Sequence, residues 1–127
     1  MTEADANKKP TLSDIVPKPP RKTLFTTERQ IKIFGGSSEE FINFTLNAPN
    51  ITPQTIEAIN AALHLSELPD EIRADCLAKA FSKRLKRIDQ IKRRETNQEI
   101  LGHLNQEAQE LRDKIRQLEE LFPQIRP

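Results

Sequence analysis

Lys92-Arg93-Arg94-Glu95-Thr96-Asn97-Gln98-Glu99 contains no apolar residue and separates two amphipathic stretches, one on each side. How the chain passes through it decides the fold. Unbroken, it makes residues 69 to 121 one long helix; broken, it turns the two stretches back on each other. No proline falls between Pro69 and Pro123, which permits the unbroken form. Thr96-Asn97-Gln98-Glu99 also fits a capping box, the signature of a fresh helix start and hence of a hairpin. The continuous helix is the favoured expectation and the hairpin its main rival.

On the C-terminal side, Leu101, Leu104, Ala108, Leu111, Ile115, Leu118 and Phe122 alternate spacings of three and four. As a heptad this places Leu101, Ala108, Ile115 and Phe122 at a, with Leu104, Leu111 and Leu118 at d. Leucine throughout d with isoleucine at one a position favours two parallel strands. In that pairing Glu107 meets Arg112 of a second chain and Lys114 meets its Glu119, both opposite in sign. The expectation is a homodimer through a short coiled coil. Its alternative is an amphipathic helix packed on its own chain.

On the N-terminal side, residues 79–94 hold Lys79, Lys83, Arg84, Lys86, Arg87, Lys92, Arg93 and Arg94 against Asp89 alone, a net +7. Placed on a helix, Lys79, Lys83, Lys86, Arg87, Arg93 and Arg94 share an arc of roughly 120°. Leu77, Phe81, Leu85, Ile88 and Ile91 lie opposite, and Arg84 and Lys92 fall off the arc. The result is a cationic ridge about 22 Å long over an apolar underside. Such a ridge suits phosphate contacts that need no base sequence. A solvated face, one neutralised by packing beside the acidic residues 35–78, or one laid on an anionic membrane competes with that reading, the membrane version least because the apolar face is small, has no Trp and is needed for the core.

The whole chain conceals this layout. Its 127 residues include 20 Lys and Arg and 19 Asp and Glu, a formal charge of +1. Residues 35–78 carry −6 and residues 95–122 carry −4, so the neutrality is global and not local. If the helix were continuous, the ridge would face the coiled-coil side and two chains would fork around a duplex. That architecture is generally similar to basic-region zippers, but the stretch lacks their Asn and Ala-Ala pattern.

Upstream, residues 1–23 carry Pro10, Pro17, Pro19 and Pro20 with few apolar residues, the composition of a disordered basic arm. Arg21 and Lys22 would add phosphate contacts. Pro17-Lys18-Pro19-Pro20 also fits PxxP, a motif for an aromatic groove on a protein partner. Glu28 to Phe34 alternates weakly, with Ile31 and Ile33 on one face before Gly35-Gly36, which suits one short strand. Ser37-Ser38-Glu39-Glu40 starts a short helix, and Thr52-Pro53 a second, with Ile56, Ile59, Ala62 and Leu63 at helical spacing. Asp70-Glu71 suits a further helix start.

Signatures of catalysis are missing. His64 and His103 stand apart without metal-ligand spacing, Cys76 has no neighbouring catalytic partner, and Gly35-Gly36-Ser37-Ser38 lacks the Gly-Lys ending of a phosphate loop. Hence no enzyme, cofactor or metal is expected. A lone cysteine cannot form an intramolecular disulfide, and no apolar run reaches membrane-span length or the form of a secretory signal. The two glycosylation-type matches at Asn43 and Asn50 carry little weight without secretion.

The sequence therefore predicts an all-α chain with room for one strand. Its expected parts are an arm (1–23), a helical head carrying the basic helix (24–94) and a dimerising coil (95–127). The expected function is non-enzymatic binding of nucleic acid in the cytoplasm, nucleoid or nucleus, without secretion or membrane attachment. A coiled-coil structural or adaptor protein is the alternative.

Overall fold

The computed structural model describes residues 10–125, which form six helices and no strand. They are α1 (Leu12–Ile15), α2 (Arg21–Phe34), α3 (Ser38–Leu46), α4 (Pro53–Leu65), α5 (Asp70–Lys92) and α6 (Gln98–Leu121). The longest two, α5 and α6, lie against each other as an antiparallel hairpin. On that hairpin α4 packs against α5, and α2 and α3 pack against α4. A single apolar core runs through all six helices, with Ile59, Leu63, Leu77, Ile88 and Leu118 almost fully buried.

Several helix ends follow directly from the local sequence. Ser37 Oγ accepts from Glu40 N at 3.2 Å to open α3. Thr52 Oγ1 accepts from Thr55 N at 3.2 Å to open α4, with Pro53 in its first turn. Pro69 precedes α5, whose first turn holds Asp70 and Glu71.

The long helix does not run through. It stops at Lys92, and the cap of α6 is Asn97 and not the expected Thr96: Asn97 Oδ1 accepts from the backbone N of Glu99 (2.9 Å) and Ile100 (3.2 Å). Glu95 Oε2 takes the N–H groups of Thr96 (3.1 Å) and Asn97 (3.3 Å), so the turn satisfies its own donors. A continuous helix would have left two apolar faces in water until a second chain arrived. Folding back buries both within one chain.

The heptad seam is consequently occupied. Leu104, Ala108, Leu111 and Leu118 are buried in this chain's core, and Ile115 and Phe122 pack at its edge, with Leu101 half-buried. Glu107 and Lys114, which the heptad aims at a second chain, instead meet Arg84 and the Phe81 ring of their own. The seam expected to join two chains is thus the inner face of a hairpin.

The expected strand is also corrected. Residues 28–34 belong to α2, where Leu24, Thr27 and Ile31 recur at helical spacing. Thr27 and Ile31 are buried, while Ile33 is 84% exposed. In a strand Ile31 and Ile33 would share a face; in the helix they diverge by about 200°. A lone strand leaves its peptide groups unpaired, whereas the helix pairs them internally. Gly35, at φ 82°, ends α2 in the left-handed conformation, its N–H reaching the carbonyls of Ile31 and Lys32.

The arm is ordered over its described part. Leu12, Ile15 and Val16 are buried, and α1 lies against α6. Residues 1–9 of the expected arm lie outside the described residues. Asn60 Nδ2 donates to the carbonyl of Pro17 at 3.1 Å, and Pro19 is buried. The few apolar residues of this segment suffice because they meet a preformed helical surface and need no core of their own.

Candidate functional site

The underside of α5 carries Ala74, Leu77, Phe81 and Ile88 into the core, which turns Lys79, Lys86, Arg93 and Arg94 to solvent. The rest of the basic block is engaged within the chain. Lys83 Nζ donates to the Leu46 carbonyl and reaches Asn47 Oδ1 at 3.4 Å. Arg87 Nε donates to Asn50 Oδ1 at 3.1 Å, and its Nη1 to Gln90 at 3.2 Å. Arg84 Nη1 donates to the Ile51 carbonyl at 3.0 Å. Three bases on neighbouring turns of α5 therefore clasp the last residue of α3 and the α3–α4 connection that follows it, residues 47–52.

Arg84 is the most deeply set of them. It is 7% exposed and binds Glu107 on α6 through two hydrogen bonds, Nε to Oε2 at 2.7 Å and Nη2 to Oε1 at 3.1 Å. One guanidinium thus joins α5, α6 and the α3–α4 connection. Sequence reading placed it off the ridge without assigning it a role. The available signal was its helical position among Leu77, Phe81 and Ile88, where a base must be buried and therefore paired.

The acidic segments barely touch the ridge. Among the described residues, Lys79 alone of its exposed members has a carboxylate partner, Asp75 at 2.9 Å, and this pairing raises the Lys79 ammonium pKa. Lys86, Arg93 and Arg94 are exposed and Lys92 half-exposed, with no ion pair among the described residues. They collect at the carboxyl end of α5, where positive charge also complements the helix dipole. Beside them lies an open recess of about 570 Å³ lined by Arg87, Gln90, Ile91, Arg93, Arg94 and Glu95. Sequence reading did not single out Gln90 or Glu95, because only the turn after Lys92 brings them to one rim.

Arg21 and Lys22 open α2, which packs chiefly on α4, not on α5. Lys22 borders a separate recess with Gln30, Gln54 and Glu57. The structure thus brings Lys86, Arg87, Arg93 and Arg94 together and leaves Arg21 and Lys22 on another face.

Other candidate chemistry is dispersed. Among the described residues no three His, Cys, Asp or Glu are grouped to hold a metal ion, and no helix is long and apolar enough to cross a membrane. Burial, reinforced by Asp75, pushes the Cys76 thiol above its usual pKa, away from the reactive thiolate. His64 receives Arg73 Nη1 on its Nδ1 at 3.2 Å. Comparison with protein-family models, with curated proteins and with solved structures finds no match.

Proposed function

We propose that this chain is a non-catalytic nucleic-acid-binding accessory protein that grips the phosphate backbone with Lys86, Arg93 and Arg94, with Arg87 at the edge. The observation that carries this reading is that Lys86, Arg93 and Arg94, on one side of the carboxyl end of α5, have no ion pair among the described residues. Exposed cations without carboxylates keep their full attraction for a polyanion, and neutralised phosphates release counterions. Nothing in the cluster resembles a base-reading fork in a preformed groove, so the reading is of backbone binding without sequence preference.

Fluorescence anisotropy of a labelled duplex at increasing salt tests it. Three to four contacts give a log–log slope of about −2.7 to −3.6. Lys86→Glu, Arg93→Glu and Arg94→Glu combined abolish binding while the helical circular dichroism stays unchanged. Undetectable binding of the unaltered chain at low salt eliminates the reading. Lys83 and Arg87 are left intact in this variant because they hold the α3–α4 connection.

A second reading, a protein-binding adaptor, draws support from a different place than its sequence motif. Pro17, Pro19 and Pro20 are followed at once by α2, with Pro19 buried and the Pro17 carbonyl bound by Asn60, which holds the PxxP segment against its own chain while Pro17 and Pro20 stay exposed. Exposed Phe25, Ile33, Phe34 and Phe44 instead offer the apolar contact surface.

A further inference from the structure

The recess at the carboxyl end of α5 holds about 570 Å³ and is lined by the guanidiniums of Arg87, Arg93 and Arg94 together with Gln90, Ile91 and Glu95. Arg87, Gln90 and Arg94 follow one another at spacings of three and four, so they share one strip of helix surface. Arg93, the cap residue, keeps helical angles at φ −64° and ψ −23° and carries that surface past Lys92. Arg87 is held in place: its Nε donates to Asn50 Oδ1 at 3.1 Å and its Nη1 to Gln90 Oε1 at 3.2 Å. Its Nη2 has no hydrogen bond among the described residues, and the Gln90 amide nitrogen is left to donate. Glu95 is the one carboxylate among the lining residues, and its Oε2 already accepts the N–H groups of Thr96 and Asn97.

We infer, building on the function proposed above, that this recess receives the terminal phosphomonoester of a nucleic-acid strand in preference to the phosphodiesters along it. Charge favours the monoester. Three guanidiniums against one carboxylate leave an excess of two positive charges. A phosphomonoester carries about −1.5 to −2 at neutral pH, whereas each backbone diester carries a single negative charge.

The donors favour it as well. A monoester offers three free oxygens and a diester fewer. Each guanidinium presents a planar fork that matches phosphate oxygens in pairs, so three converging forks suit the group with more acceptors. Because Arg87 is already fixed by Asn50 and Gln90, ordering it on binding costs little. Shape points the same way. A phosphate inside a duplex is flanked by neighbours on both sides, whereas a strand end can enter a concavity. The recess has the size of a small-molecule pocket, enough for one terminal nucleotide and too small for a duplex, and Ile91 gives the nucleoside an apolar wall. Lys86 lies outside the lining, on the same side of the helix as Arg93, where it serves the diesters that follow the end.

Fluorescence anisotropy with two DNA hairpins labelled in the loop tests it at constant low salt. One carries phosphate on both its 5′ and 3′ termini, and the other, of the same sequence, carries hydroxyls. The full chain binds the phosphorylated hairpin at least tenfold more tightly. Gln90→Glu keeps an acceptor for Arg87 and adds a negative charge to the rim. It removes the preference, shifts binding of the hydroxyl hairpin less than threefold and leaves the circular dichroism unchanged. Lys86→Gln weakens both hairpins by the same factor and keeps the preference. Equal affinity for the two hairpins overturns the inference and leaves the backbone function standing, while no binding of either overturns both. A preference that survives Gln90→Glu, or that Lys86→Gln removes, also overturns it. A nucleoside 5′-monophosphate that competes as strongly as the phosphorylated hairpin would assign the recess to a free small phosphate and overturn the strand-end assignment.

Discussion

Arg84 on α5 and Glu107 on α6 are bound through two parallel hydrogen bonds, the shorter 2.7 Å long, across the hairpin that the polar stretch 92–99 creates. The pair fixes how the two helices are aligned, because a fork of two donors onto two acceptors tolerates little sliding. Glu107→Ala leaves a buried guanidinium with only the Ile51 carbonyl, and we expect a loss of about 3 kcal/mol in urea unfolding followed by circular dichroism. Arg84→Met combined with Glu107→Leu costs much less than the single changes together. Additive losses would show that the two residues do not act as a pair.

Lys83 and Arg87 differ from Lys86 although all three are bases on one helix. Lys83 holds the last carbonyl of α3 and Arg87 the α3–α4 connection by side-chain hydrogen bonds, and Lys86 has no hydrogen bond or ion pair among the described residues. Lys83→Ala and Arg87→Ala are expected to cost about 1 kcal/mol each in denaturant unfolding, and Lys86→Ala less than about 0.5 kcal/mol. Equal effects at the three positions would contradict the clasp.

Leu118 is a sharper probe of where the heptad residues point, since it is 0% exposed within a single chain. Leu118→Ala should lower stability by about 2 to 5 kcal/mol at any protein concentration. Were Leu118 at an intermolecular seam, the loss would vary with concentration.

His64 carries a pH dependence of stability. Burial lowers its pKa from 6.5, Arg73 and Lys18 lower it further, and Asp70 opposes them in part. The unfolded chain therefore takes up the proton first as pH falls. The contribution of neutral His64 is fully present above pH 6.5 and is lost as the pH falls through the lower folded value. Thermal unfolding between pH 7.5 and 5 should show this decline, and His64→Gln should flatten it. An unchanged slope in the variant would assign the decline to other groups.

The sequence by itself determined the helical class, the start of α3 at Ser37, the start of α4 at Thr52-Pro53 and the apolar underside of α5, because caps and 3.6-residue periodicity are local properties. It also located the bases later found at the carboxyl end of α5. Local pattern misled at residues 28–34, where Ile31 and Ile33 suggest alternation, while the boundaries Pro20 and Gly35 with Leu24, Thr27 and Ile31 between them mark the helix that forms. Only the tertiary structure decided what each apolar face meets. Leu104, Leu111 and Leu118 carry the same periodicity whether they pack on a second chain or on their own. The choice rests on the turn at Arg93–Asn97 and on the buried partner that Glu107 finds in Arg84. A heptad records that a face must be covered; the identity of its cover depends on a contact between residues 23 positions apart in sequence.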